Sequence, residues 1–188
     1  TANGCPGDVI STYLQSSFST LTERVWEDLL TAPGNEKIRL HKACVRPLRG
    51  SPVDPIDIRT PFVMEFEYWN LSPGAYLNLS LSLINEQGIT VFATTSASDP
   101  AWHGHAFPMG LFRSIVFVPG DLLNDGTYRV LLRFVHNQGF VVYRHDDLLL
   151  FEIRDSSGRR GAWYGRWPGV VRPELEWTTE LVQEGSGQ

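Results

Sequence analysis

The chain has 188 residues, 42% of them hydrophobic and 20% charged, and a net charge of −5. This length suits one domain with a short appendage and can bury a sizeable core, while the negative balance lacks the basic patch that a nucleic-acid partner requires. Twelve prolines and seventeen glycines demand many turns and favour a β-rich fold. The two cysteines, Cys5 and Cys44, are too few for a disulfide framework and read as free thiols in a reducing compartment. No apolar stretch precedes the first basic residue, Arg24, as a secretory signal would require, and no apolar run approaches the roughly 20 residues of a membrane span. The expectation is a soluble chain, either complete or a fragment of a longer one.

Residues 1–35 carry little periodicity and read as a linker or docking arm, with a short amphipathic helix as the alternative, closed by the turn signal TAPGN at Thr31–Asn35. From residue 36 the period becomes that of strands. EKIRLHKACVRP alternates, with Ile38, Leu40 and Lys42 expected on one side and Arg39, His41 and Ala43 on the other. FVMEFEYWN sets Phe62, Met64, Phe66 and Tyr68 against Val63, Glu65, Glu67 and Trp69. AYLNLSLSLIN gives the clearest pattern, with Leu77, Leu79, Leu81 and Leu83 on one face and Asn78, Ser80 and Ser82 on the other. NEQG, Asn85–Gly88, is a hairpin turn into ITVFATT, and a long polar and aromatic loop follows, SASDPAWHGHAFPMG. LFRSIVFVP is a further strand, and the Asp125-Gly126 turn signal leads into TYRVLLRFVHN. There Tyr128, Val130, Leu132 and Phe134 should point inward and Arg129 and Arg133 outward. FVVYRHDD and LLLFEIRD complete a set of about eight strands. Strands at this spacing, each with one polar face, predict an all-β antiparallel sandwich, immunoglobulin-like or jelly-roll-like, over residues 36–181. Residues 182–188 read as a flexible tail.

Chemistry-bearing motifs are scarce. There is no Gly-Lys pair to build a phosphate-cradling P-loop, no dinucleotide-binding glycine fingerprint, no G-x-S-x-G elbow and no H-E-x-x-H. His103 and His105 have a chelating spacing, but nothing in the sequence brings His136 or the His145-Asp146-Asp147 run to them, so they read as loop histidines. Glu65 and Glu67 are neighbours on one strand face, roughly 6–7 Å apart, whereas glycosidase carboxylates normally oppose each other across a cleft. The expectation is therefore no enzyme and no cofactor or metal. A glycan-binding face fits the residue types better. If the main strands neighbour each other, one sheet presents Glu65, Glu67, Trp69, Asn78, Ser80, Ser82, Arg129 and Arg133, and the loop adds Trp102 and His103. Paired donors and acceptors suit sugar hydroxyls, and a flat ring suits a sugar's apolar face. An ordinary solvated sheet face is the alternative.

The strings ERVWEDLLTAPGNEKIRLHKACV, PFVMEFEYWNL, LNLSLSLINEQGITVFATT, GLFRSIVFVPGDLLNDGTYRV and GAWYGRWPGVVRPELEW occur in an order and spacing that resembles the C-terminal domain of ATP-binding subunits of Wzt-type polysaccharide ABC transporters. The resemblance runs from about Glu23 to Leu181. It implies a β-sandwich that binds the growing end of an exported polysaccharide, commonly O-antigen. Such a domain would lie in the cytoplasm beneath the inner-membrane transporter, beside an ATPase domain that this chain lacks, in a dimer that exchanges a C-terminal strand. A module that dimerises the ATPases without reading the sugar is the alternative.

Residues 170–181 fit that strand. Val171, Pro173, Leu175 and Trp177 alternate with charged residues, and Pro173 argues for an edge because it has no amide proton for a ladder. These four are the expected dimer contacts. Trp163, Tyr164 and Trp167 precede them in a glycine-hinged lead-in.

Overall fold

The computed structural model describes residues 20–136, 139–156, 167–173 and 175–179. Its regular elements are β1 (Glu23–Val25), β2 (Ile38–Pro47), β3 (Ile56–Asp57), β4 (Phe62–Asn70), β5 (Leu77–Asn85), β6 (Thr90–Thr95), a single 3-10 turn (Ser96–Ser98), β7 (Gly110–Val118), β8 (Gly126–His136) and β9 (Phe140–Arg154). They form two sheets, one in the order β1-β2-β4-β7 and the other β3-β9-β8-β5-β6. Every pairing is antiparallel except the short one between β3 and β9. The architecture is the sandwich that the alternating sequence demands.

The core lies between the sheets. Phe62, Met64, Phe66 and Tyr68 of β4 meet Leu77, Leu79, Leu81 and Leu83 of β5, and Val130, Leu132 and Phe134 of β8 join them; all are 5% exposed or less. Period-2 alternation over nine residues suffices to aim these side chains, because a one-residue slip would turn the whole set to solvent. The Asn85–Gly88 turn also forms as expected. Gly88 N donates to the Asn85 carbonyl at 3.0 Å, and its φ of +79° is a conformation that a side chain would strain.

Two expectations give way at bulges. In β2 the register shifts between Leu40 and Lys42. One extra residue there reverses the parity of the strand. Ile38 and Leu40 face the core as expected, but so do Ala43 and Val45, while Lys42 turns outward. FVVYRHDD and LLLFEIRD, read as separate strands, are one fifteen-residue strand, β9. Its pairing jumps from Val130↔Leu149 to Leu132↔His145, and Asp147 takes a φ of +50° in the excursion. The residues between them leave the ladder and return to it without ending the strand.

The segment before residue 36 contributes to the sheets. Glu23, Arg24 and Val25 pair with Cys44, Ala43 and Lys42, and Leu21 exchanges backbone hydrogen bonds with Leu150 of the opposite sheet, 2.7 and 3.0 Å. Ala32, in the turn that follows, is 1% exposed. Cys44 is buried and unpaired. The expectations that fall on residues 1–19, with Cys5, and on Trp163, Tyr164 and 181–188 lie outside the described residues.

Candidate functional site

One flank of the sandwich is open between the two edge strands β6 and β7. A groove of about 390 Å³ runs there, with Asn78, Leu79, Thr94, Thr95 and Ser96 on one side and Phe112, Arg113, Ser114 and Ile115 on the other. Its end is closed by the loop that carries Asp99, Trp102, His103 and Phe107. Strand pairing explains why the loop sits there. β6 pairs with β5 only from Ser80 to Ile84, so the start of β5 lacks a strand on that side. Ser96 supplies a substitute, its Oγ accepting from Leu79 N at 2.9 Å.

The loop is firmly tied. Asn70, fully buried, donates from Nδ2 to the carbonyls of Ser72 and Pro108 at 2.9 and 2.8 Å, with Phe107 O at 3.3 Å. Phe107 N donates to Ala75 O and Gly74 N to Phe107 O, at 2.8 and 2.9 Å. A buried amide with this many partners fixes backbone that has no ladder of its own. Aromatic packing then carries rigidity from core to surface. Phe134 meets Tyr68 edge-on at 4.7 Å, Tyr68 stacks on Phe112 at 6.0 Å, and Phe112 meets Trp102 edge-on at 5.2 Å. Trp102 also packs on Phe107 at 4.8 Å and remains 38% exposed. Burial pushes the Tyr68 phenol above its usual range, against the hydrogen bond with Ser114, so it stays neutral.

The structure divides the residues expected on one face. β4 and β5 are consecutive in the chain but belong to different sheets. Glu65, Glu67 and Trp69 therefore lie on the outer face of the four-stranded sheet, and Ser80, Ser82, Arg129 and Arg133 on the outer face of the other. Asn78 reaches the groove and joins Trp102 and His103. The single binding sheet is thus corrected to two opposite faces and a groove between their edges.

The two glutamates are also less accessible than a solvated face would leave them, at 7% and 8% exposed. Arg113 bridges them: its Nη2 lies 2.7 Å from Glu67 Oε1 and its Nε 3.3 Å from Glu65 Oε1. Arg46 Nη2 reaches Glu65 Oε2 at 3.2 Å, and His41 Nε2 lies 3.7 Å from Glu67 Oε2. Beside them, burial first and the Glu65 charge second push the Cys44 thiol up, so it stays protonated. On the opposite face Arg133 donates to Ser82 Oγ at 3.1 Å and Arg129 pairs with Asp147 at 3.2 Å. The groove also holds Asp99, Phe112 and Arg113, which no motif in the sequence marks. The only sign of them was the length and aromatic content of the loop before β7.

The tail residues stand apart from the groove. Val171 bridges to Leu123, and Arg172 pairs with Asp155 at 2.7 Å with both side chains largely buried. Beyond Pro173 residues 175–179 form no regular structure, and Leu175 and Trp177 are 66% and 88% exposed.

No protein-family model and no curated protein matches the sequence. Among solved structures, the crystal structure of the C-terminal domain of Wzt aligns over 84% of this chain and 89% of that one, with a TM-score of 0.61 and 13% identity. The fold is that of the Wzt C-terminal domain. A second structure, described as "putative beta-galactosidase from bacteroides fragilis", overlaps 71% of this chain and 17% of its own at 13% identity, with a TM-score of 0.35, and carries no argument. Among the described residues no helix is long and apolar enough to cross a membrane.

Proposed function

We propose that this chain is a non-catalytic polysaccharide-binding module of an ABC transporter that exports O-antigen or a related cell-surface glycan, and that it recruits the polymer to the transporter. The observation that carries the reading is the groove: a rigidly mounted, partly exposed Trp102 beside Asn78, Thr94, Thr95, Asp99 and His103, on the fold of the Wzt C-terminal domain. A sugar presents an apolar C–H face and a rim of hydroxyls. The indole takes the first and the amide, hydroxyl, carboxylate and imidazole groups take the second. Each hydroxyl trades a water hydrogen bond for a protein one, with a net gain of only about 0.5–1.5 kcal/mol. Modest affinity suits a polymer that must be passed on to a channel. Glu65 and Glu67, each held in ion pairs, are positioning groups for Arg113 at the groove rim. That role also speaks against a hydrolase, whose general acid would have to give up a proton freely. The module would work in the cytoplasm, at the inner-membrane transporter and beside its ATPase domain.

Isothermal titration with delipidated surface polysaccharide from the producing cell tests the reading. Saturable binding is expected, weakened by Trp102→Ala; a flat titration with every length fraction would overturn it.

A homodimer belongs to the same proposal. The apolar side chains of Leu175 and Trp177 are exposed among the described residues, and Val171 and Pro173 lead into them. A segment of alternating apolar residues can add to a sheet edge of a second copy and be exchanged between copies as a strand. Because Arg172 is pinned to its own chain, the exchanged part begins after it. Truncation after Arg172 should convert a dimer to a monomer by light scattering, and a persisting dimer would refute the assignment.

A further inference from the structure

At the far end of β5 from the groove lies a separate hollow of about 350 Å³. It is lined by Glu86, Gln87, Thr127, Trp167 and Gly169, with Asn124 beneath. Its construction centres on one ring. Asn124, 2% exposed, spends its Nδ2 protons on the carbonyls of Trp167 and Gly169, at 2.7 and 2.9 Å. The Arg172 guanidinium lies 4.9 Å from the centre of the Trp167 ring and is itself held by Asp155. The Trp167 backbone is thus fixed by a buried amide and its ring is backed by a pinned cation. Yet the indole remains 41% exposed, beside the exposed Gln87 and Glu86. A ring that served only to fill the end of the sandwich would have been buried. One that is held still and left open is preorganised for a flat apolar ligand face with polar edges.

We infer that this hollow is a second carbohydrate-contact site, which takes a sugar unit of a polymer remote from the unit in the groove. Seven strand rises separate Asn78 from Asn85, about 23 Å, so the two sites can serve one chain only if it is several units long. The indole stacks on the sugar ring, and Gln87, Glu86 and Thr127 meet its hydroxyls. Two weak contacts on one polymer act through effective concentration: a long chain gains over a short one without either site becoming tight. The inference takes only the ligand class from the groove reading, since the hollow shares none of the groove's lining residues.

The test uses the intact chain labelled with 5-fluorotryptophan, with the Trp102 and Trp167 fluorine resonances assigned through Trp102→Phe and Trp167→Phe. The probe is delipidated polysaccharide from the surface of the producing cell, fractionated into short and long chains. Long chains should shift both resonances, and Trp167→Ala should weaken binding of the long fraction roughly three- to tenfold while leaving the short fraction unchanged. A Trp167 resonance that stays still while Trp102 shifts overturns the second site and leaves the groove standing. The reverse pattern keeps the hollow and removes the groove. If neither resonance moves with any fraction, both are overturned.

Discussion

Replacing Trp102 by alanine probes the groove most directly. The indole is 38% exposed, so about three-fifths of a ring surface of roughly 200 Å² is covered by Phe107, Phe112 and the loop. At ~25 cal/mol per Å² that is about 3 kcal/mol, and about 2 kcal/mol once partial burial in the unfolded chain is discounted. In a domain of this size the midpoint of thermal unfolding should fall by about 4–8 °C. Asn70 and the Ala75–Phe107 bridge keep the loop in place, so the variant remains folded. Loss of the stacking surface should weaken glycan binding by about 1.4 kcal/mol, a factor of ten. Trp102→Phe, which keeps a ring, should recover most of both. Calorimetry and titration at a temperature well below the lower midpoint separate the two effects. An affinity within twofold of the parent, in a variant that has lost the stability, would refute the assignment of Trp102 to the ligand.

Other perturbations follow from contacts already described. Asn70→Ala leaves the Phe107 and Pro108 carbonyls without their donor and should cost ~1–3 kcal/mol; it should also loosen the loop, seen as faster amide exchange at Phe107 and weaker glycan binding. Arg172→Ala removes one charged partner of the Asp155 carboxylate, whose side chain is 1% exposed, and should destabilise the domain by about 1–3 kcal/mol; limited proteolysis near Val171 should accelerate, and unchanged digestion would contradict the anchor. His145 gives a pH signature. Burial first, then the Arg24 guanidinium, holds its imidazole below the ordinary value of 6.5, against the opposing charges of Asp146 and Asp147. The unfolded chain therefore binds the proton more readily, and stability should fall as pH drops from 6.5 to the lowered folded value. His145→Gln should flatten that segment of the stability–pH curve, and a slope that survives the substitution would show that another group causes it.

Different parts of this molecule were legible to different degrees, for physical reasons. The leucines of β5 and the aromatics of β4 declare their inward faces because alternation is a local property of a pleated strand. The parity change in β2 is invisible, since one extra residue at a bulge leaves a sequence that still alternates on either side. The sheet to which a strand belongs is a tertiary fact, so Glu65 and Ser80 could be expected on one surface and yet lie on opposite ones. Glu65 and Glu67 read as solvated because their partners, Arg46 and Arg113, arrive from strands far away in sequence. Trp102 and His103 were visible as an aromatic loop, but that the loop ends a groove depends on β6 being too short to cover the start of β5.

The bond between Leu21 and Leu150 sets a schedule for the nascent chain. The two residues donate to each other across the sheets, 2.7 and 3.0 Å, yet roughly 130 residues separate them, on the order of ten seconds of synthesis at ~5–20 residues per second. Until β9 has left the ribosome, Leu21 has no cross-sheet partner and the β8 edge is bare. Contacts of such long sequence separation close slowly. A chain arrested before β9 would therefore carry an open, adhesive half-sandwich with the β8 edge exposed.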